Sequence, residues 1–270
     1  MAEPLKLMAV FAHPDDESLG CGGALAHYAA QGVETALVCA TRGERGWGGP
    51  PQDFPGLEAL GRLREAELRA AAGVLGLGSV EFLDYLDGEL DQADPGEAIA
   101  RITARLRRFR PQVVITFGPE GAYGHPDHIA ISQLTTAAVV CAADPAYRPE
   151  QGPAPHRVAK LYYAIDTQEA RDLVAEHFGG ITFEVDGVPR SHVGWPEWAV
   201  TARIDARAHW RTAWQAILRH HSQVGWLLET AEKLPEAVHA RLWGVQTFCR
   251  AYSLVNGGRQ VEEDLFAGLR

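Results

Sequence analysis

The chain has 270 residues, 46% of them hydrophobic and 22% charged, with 25 Lys and Arg against 35 Asp and Glu and a formal net charge of −10 at pH 7. That length and composition suit a globular protein with one substantial core. The acidic balance excludes a nucleic-acid phosphate backbone as partner, and no run approaches the ~20 apolar residues that cross a bilayer.

The first half alternates strand and helix signals. LKLMAVFA (5–12) predicts a strand, and ESLGCGGALAHYAAQ (17–31) a helix ending at Gly32. VETALVCATR (33–42) predicts the next strand, and after a Gly/Pro-rich loop 57–76 predicts a helix. A short strand over 80–85 precedes a helix over 94–110, started by Asp94 and Pro95. A buried-type strand over 111–117 and a helix over 127–143 close the series. This order predicts parallel strands joined by right-handed crossovers: an open, mostly parallel α/β sheet with helices on both faces. Residues 144–160, rich in Pro and Gly, predict a surface loop. A strand over 160–166 follows, then a helix over 201–221 entered from a strand ending near Ile204, and the C-terminal third reads as irregular. The whole of 1–270 reads as a single domain, with 1–143 as the α/β core and 144–270 completing a pocket. The start, MAEPLKLMAV, lacks a basic leader and a cleavage site, so the expected location is cytoplasmic. Cys21, Cys39, Cys141 and Cys249 form no CxxC and read as reduced thiols.

Ligands of open α/β sheets bind beyond the carboxyl ends of the strands. The first strand delivers His13, Pro14, Asp15, Asp16 and Glu17 there, and the strand over 111–117 delivers Tyr123, Gly124, His125, Pro126, Asp127 and His128. A catalytic zinc takes three protein ligands and keeps one position open. His13 and Asp16, three apart around a turn, and His128, in the first turn of the next helix, form a His₂Asp set. Asp15 is then placed to take a proton from the attacking water. Asp127 reads as orienting His125, whose imidazole would stabilise an oxyanion or protonate a leaving amine. Pro126 biases His125 toward an extended backbone, turning it away from the following helix.

The pair AHPDDE and YGHPDH resembles the zinc-dependent N-acetylglucosaminyl deacetylase family, LmbE-like and PIG-L-like. Three weaker matches accompany it: TRGERG (41–46), LGRLREAEL (60–68) and HHSQ (220–223). The resemblance implies a Rossmann-like fold and one Zn2+ per chain, or Fe2+ or another divalent ion, on His13, Asp16 and His128. It further implies Asp15 as general base, His125 as acid oriented by Asp127, and Tyr123 holding substrate or oxyanion. Arg64, Glu44 and His220 are the implied substrate contacts. The expected reaction is deacetylation of an N-acetylglucosamine derivative, in thiol biosynthesis of the bacillithiol or mycothiol type. Its partner is thus a small amino sugar, with no nucleic acid or membrane, and homo-oligomerisation is left open. The rivals are hydrolysis of other small N-acyl compounds such as chitobiose, a two-metal phosphoesterase, and a metal-binding protein without turnover. Where the family often has glutamate near the end, this chain has Gln246.

Other features have plainer readings. Gly20, Gly22 and Gly23 do not complete GxGxxG, because position 25 is Leu25, so close helix packing is expected. RLRRFR (105–110) reads as a solvated helix face. The residues of HHSQ read as the end of a helix, where histidine meets the dipole favourably.

Overall fold

The alternation of strands and helices in the first half becomes a sheet whose strand order decides where the chemistry lies. The computed structural model describes residues 4–148, 152–180, 182–185, 187–255, 258 and 260–270. Its first half holds β1 (Lys6–Phe11), α1 (Asp16–Ala30), β2 (Glu34–Thr41), α2 (Leu57–Leu75), β3 (Ser79–Tyr85), α3 (Pro95–Phe109), β4 (Val113–Phe117), the single turn α4 (Gly121–Gly124) and α5 (Pro126–Ala143). Then come β5 (Lys160–Ile165), α6 (Gln168–Phe178), β6 (Thr182–Val185), β7 (Val188–Ser191), β8 (Ala202–Asp205), α7 (Trp210–Ile217), α8 (His221–Ala231), α9 (Glu236–Gly244) and β9 (Val245–Ser253).

The main sheet has seven strands in the order β3-β2-β1-β4-β5-β9-β8. β1 to β5 are parallel, and β9 runs antiparallel to both β5 and β8. The chain steps outward from β1 to β3, then returns to the other side of β1 at β4. That reversal leaves a crevice beyond the carboxyl ends of β1 and β4, the place where such sheets bind ligands. Leu7–Phe11 and all of β4 are buried, as near-continuous apolar runs are when helices cover both faces of a parallel sheet.

The chain beyond β5 contributes elements that the sequence patterns did not single out: α6, the β6–β7 hairpin, α9 and β9. Strand β9 follows α9 without a break and buries Gln246 and Thr247, polar residues that mask its period. The helix expected over 201–221 is divided: α7 ends at Ile217 and α8 starts at His221. HHSQ therefore opens a helix and does not close one. Residues 144–148 and 152–159 lie outside helices and strands, as the Pro/Gly content predicts. The solvated-face reading of RLRRFR fits Arg108, which is exposed, but not Arg107. Arg107 is buried and donates to the carbonyls of Cys141, Ala142 and Asp144, satisfying the C-terminus of α5.

Helix α1 is broken at Cys21, where φ is −151°. The Ala24 N–H then bonds Gln246 Oε1 at 2.5 Å, so the Gln at this position closes a gap in the helix ladder. At Gly23 a Cβ would stand 2.5 Å from the Trp243 carbonyl oxygen, whereas Gly20 has nothing within 4 Å. The packing role thus belongs to Gly23, and it joins α1 to the α9–β9 junction. Among the described residues no helix is long and apolar enough to cross a membrane. Gly23→Ala is expected to destabilise the fold by about 1–3 kcal/mol through overpacking. Gly73→Ala, on an exposed face of α2 with open space around it, is expected to stabilise by about 0.5–1 kcal/mol. Urea unfolding of both variants checks the contrast; equal stabilities would remove the close approach as a constraint.

Candidate active site

Asp15, Asp16 and Glu17 cap and open α1 just beyond β1. Side by side and largely buried, three carboxylates would repel strongly unless each found its own cation. The structure supplies three different partners from three different segments.

Asp16 turns back onto β1, its Oδ2 accepting from the N–H groups of Ala12 (3.1 Å) and His13 (2.7 Å). Its Oδ1 faces His128 Nε2 at 3.4 Å, and His13 Nδ1 lies 3.0 Å from the same Nε2. Burial pushes the Asp16 carboxyl up to about 7, with His13 opposing and Asp15 adding to the shift. The other nitrogens of the two rings fix the tautomers. His128 Nδ1 is 3.3 Å from the Gly121 carbonyl, an acceptor only, so Nδ1 carries the hydrogen and Nε2 a lone pair. His13 Nε2 is 3.1 Å from Asp127 Oδ2 and 3.0 Å from Asp87 Oδ1, so it carries the hydrogen and Nδ1 offers its lone pair. Two lone pairs 3.0 Å apart repel unless a cation or a proton lies between them. Burial disfavours charge on either ring, yet Asp127 and Asp87 raise the His13 pKa well above its ordinary value. Burial and the neighbouring imidazoles lower that of His128 well below it. Two imidazole lone pairs and a carboxylate oxygen converging on one point are the donor set of a divalent cation.

The structure corrects the assignment of Asp127. The carboxylate expected to orient His125 instead orients His13, and it is itself held by the N–H groups of Gly88 (2.8 Å) and Leu90 (3.1 Å). His125 Nδ1 accepts from the Asp127 N–H at 3.2 Å, capping α5. With Nδ1 accepting, His125 carries its hydrogen on Nε2. Asp87, in the loop after β3, joins Asp127 on His13 Nε2. Its carboxyl stays below the usual range because, against burial, the hydrogen bond and charge of His13 dominate. Two groups of side chains lie close enough together to hold an ion: His13 with His125 and His128, and His13 with Asp87 and Asp127. The oxygens of Asp87 and Asp127 are already committed to N–H donors, which makes them the shell that orients His13. Applied to β3 as well as β1 and β4, the strand-end rule singles out Asp87.

Asp15 sits at φ 113°, in the left-handed region where a non-glycine residue is strained by ~1–3 kcal/mol. Arg64 holds this turn. Its Nη2 donates to the Pro14 carbonyl (2.6 Å) and to Asp15 Oδ2 (3.2 Å), and its Nη1 to the Gly43 carbonyl (2.9 Å). Burial raises the Asp15 pKa, with Arg64 opposing it. A Cβ on Gly43 or Gly46 would fall within 2.3 Å of the Arg64 guanidinium, so the TRGERG glycines make room for it. Arg64 is 4% exposed: it positions the aspartate and does not line the cavity.

Glu17 is paired with His220 at 2.8 Å, both fully enclosed. Burial works against the Glu17 charge, but His220 and Ser18 lower its pKa overall. His220 is therefore a buried counter-ion and not the expected substrate contact. The rest of HHSQ continues the clasp. Glu67 on α2 accepts from Ser222 N (2.9 Å) and Ser222 Oγ (2.6 Å), and Gln223 Nε2 donates to the Gly46 carbonyl (2.8 Å). A buried carboxylate on the first free N–H groups of α8 explains why a new helix starts there. Glu44 Oε2 accepts from Asp87 N at 3.3 Å and supports the loop carrying Asp87. None of Arg64, Glu44 and His220 lines the cavity over the site, whereas Asp15, Asp16, Tyr123 and His128 do. The Tyr123 ring lies edge-on to His128 at 5.2 Å and stacks on Phe183 at 4.3 Å. Burial pushes its hydroxyl pKa up, so it remains a donor.

A family model described as PIG-L, GlcNAc-PI de-N-acetylase, matches residues 8–139. The 1D-myo-inositol 2-acetamido-2-deoxy-alpha-D-glucopyranoside deacetylase of Geodermatophilus obscurus is 34% identical, over 100% of this chain and 99% of its own length. The chain belongs to the PIG-L family. It is an N-deacetylase, a hydrolase of amide C–N bonds, as the two HPD motifs led us to expect. A conserved protein from Thermus thermophilus, TT1542, shares 28% identity and a TM-score of 0.64, over 94% of this chain and 97% of its own. The N,N'-diacetylchitobiose deacetylase from Pyrococcus horikoshii shares the fold, with a TM-score of 0.68 at 20% identity, over 91% of this chain and 83% of its own. The bacillithiol expectation is withdrawn, because the close relatives are named for an inositol-linked sugar.

The Arg64 clamp carries a test. Gly46→Ala places a methyl group 2.3 Å from Nη1, and a guanidinium held by three hydrogen bonds cannot yield without releasing Asp15. The expected result is a loss of about 10²-fold in kcat with metal content unchanged, read by amine release and metal analysis. Full activity would detach Arg64 from the positioning of Asp15.

Proposed function

We propose that the deacetylase removes the acetyl group from an N-acetylglucosamine derivative, with a divalent cation, zinc by preference of its donors, held by His13, Asp16 and His128. The reading rests on the convergence of His13 Nδ1, His128 Nε2 and Asp16 Oδ1, with both ring tautomers fixed from behind. Bound there, the cation supplies Lewis acidity toward the amide carbonyl and the attacking water. The remaining steps belong to side chains. Asp15, its pKa raised by burial and its position held by Arg64, takes the proton of the attacking water. The Tyr123 hydroxyl donates to the developing oxyanion. His125 directs its Nε2–H toward the reacting amide as a hydrogen-bond donor, and the proton that Asp15 takes from the water passes to the departing amine. Residues 1–143 supply the catalytic groups, and 144–270 supply the rest of the pocket wall.

The inositol-linked sugar of the relatives supports an acetamidoglucose ring as the reacting unit. Asp15→Asn is expected to keep the metal and lose about 10²–10⁴-fold in kcat on that sugar. Amine release together with metal analysis tests both halves. Near-parent turnover with metal bound would remove Asp15 as the base, and loss of metal would make it a ligand.

A further inference from the structure

Asp15 is gripped by more than its carboxylate. The peptide group between Pro14 and Asp15 is held on both sides: its carbonyl accepts from Arg64 Nη2 at 2.6 Å, and its N–H donates to Glu17 Oε2 at 3.1 Å. The orientation of that peptide sets the φ of 113° at Asp15. Turning it over would bring Asp15 to a negative φ, where an L-residue is unstrained, and would withdraw the carbonyl from Arg64. The same Nη2 holds Asp15 Oδ2 at 3.2 Å, so the carboxylate would lose its fixed partner as well.

Glu17 turns Oε2 to this N–H because its other oxygen is occupied. Oε1 accepts from Ser18 Oγ at 2.5 Å and from His220 Nε2 at 2.8 Å. The His220 ring has no other hydrogen-bonding task, since its Nδ1 is buried with no partner among the described residues. Glu17 is 1% exposed and His220 0%. A helix start needs only a Glu or Gln reaching back from the surface to its N-cap. A carboxylate desolvated to this degree, closed by a histidine 203 positions away, carries a cost that capping alone does not require. His220 is itself anchored: its neighbour Ser222 donates twice to Glu67 on α2, the helix that carries Arg64. Both grips on the Pro14–Asp15 peptide therefore stand on one helix.

We infer that Glu17 and His220 are positioning residues for the deacetylation: they lock the Pro14–Asp15 peptide, and through it hold Asp15 where it meets the attacking water. This rests on Asp15 being the base, as proposed above. Neither residue lines the cavity. His220 acts by fixing the Glu17 carboxylate, and Glu17 acts through the Asp15 N–H. The effect is one of orientation, so it falls on the step in which Asp15 takes a proton and not on the binding of the sugar.

A double-mutant cycle on the zinc-loaded protein tests this, read by amine release from inositol-linked N-acetylglucosamine. Glu17→Gln and His220→Leu are each made in the parent chain and in Asp15→Asn. The glutamine has one acceptor oxygen and cannot serve both Asp15 and His220. In the parent, each variant is expected to lower kcat by about 10–10²-fold, with KM and zinc stoichiometry unchanged. In Asp15→Asn, each is expected to cost under about twofold, because the group it positions is already gone. His220→Gln keeps an N–H donor for Glu17 and is expected to recover most of the kcat lost in His220→Leu; if the leucine variant does not fold, Glu17→Gln and His220→Gln carry the cycle. Equal losses in both backgrounds, full kcat in Glu17→Gln, or losses that follow only zinc content or thermal stability would reduce the pair to a structural ion pair. Any of these would overturn the inference and leave Asp15 as the base. Near-parent turnover in Asp15→Asn would remove the base, and the inference with it.

Discussion

Three adjacent carboxylates buried at the start of one helix are the constraint around which this molecule is arranged. An unpaired buried carboxylate costs several kcal/mol, and three together would unfold the segment or stay protonated. The chain answers each one separately: Arg64 from α2 for Asp15, the N–H groups of Ala12 and His13 for Asp16, and His220 from just before α8 for Glu17. The pairings of Asp15 and Glu17 draw distant segments to the carboxyl end of β1. The loop over 43–46, the starts of α1 and α8 and the middle of α2 are tied into one block by those bonds and by Glu67 and Gln223. A site that needs one carboxylate on a cation and the next beside it needs such a block, since neither could hold its place alone.

His13 stands at the centre because both its nitrogens are committed. Asp127 and Asp87 take the hydrogen on one side, leaving the lone pair on the other aimed at the same point as His128 and Asp16. The three strands that supply these groups are β1, β3 and β4. The reversal of strand order around β1 places their loops along one edge. Fold and chemistry meet there: the same crossover pattern that buries the apolar strands opens the crevice that the polar loops fill.

Much of this was legible in the sequence. The alternating elements of the first half gave the parallel sheet, and HPDD with HPDH gave the residues that gather at its edge, because strand ends and short spacing fix which side chains can converge. What escaped were contacts across long separations. Asp127 was assigned to its near neighbour His125, while its partner is His13, 114 positions away. Arg64, Glu44 and His220 were expected to meet substrate, yet their own chain occupies them. Local spacing cannot tell a residue that touches a ligand from one that holds such a residue in place. The boundary of α8 was missed for the same reason, since its start is set by Glu67 on another helix. Strand β9 was hidden by the polar residues it buries.

The central claim is that His13, Asp16 and His128 bind one divalent cation through two imidazole nitrogens and a carboxylate oxygen. X-ray absorption spectroscopy on the protein reconstituted with one equivalent of zinc tests it directly. The account predicts a first shell of nitrogen and oxygen only, with the outer-shell signature of two imidazoles. A sulfur ligand, three imidazoles, or no stoichiometric binding would contradict it.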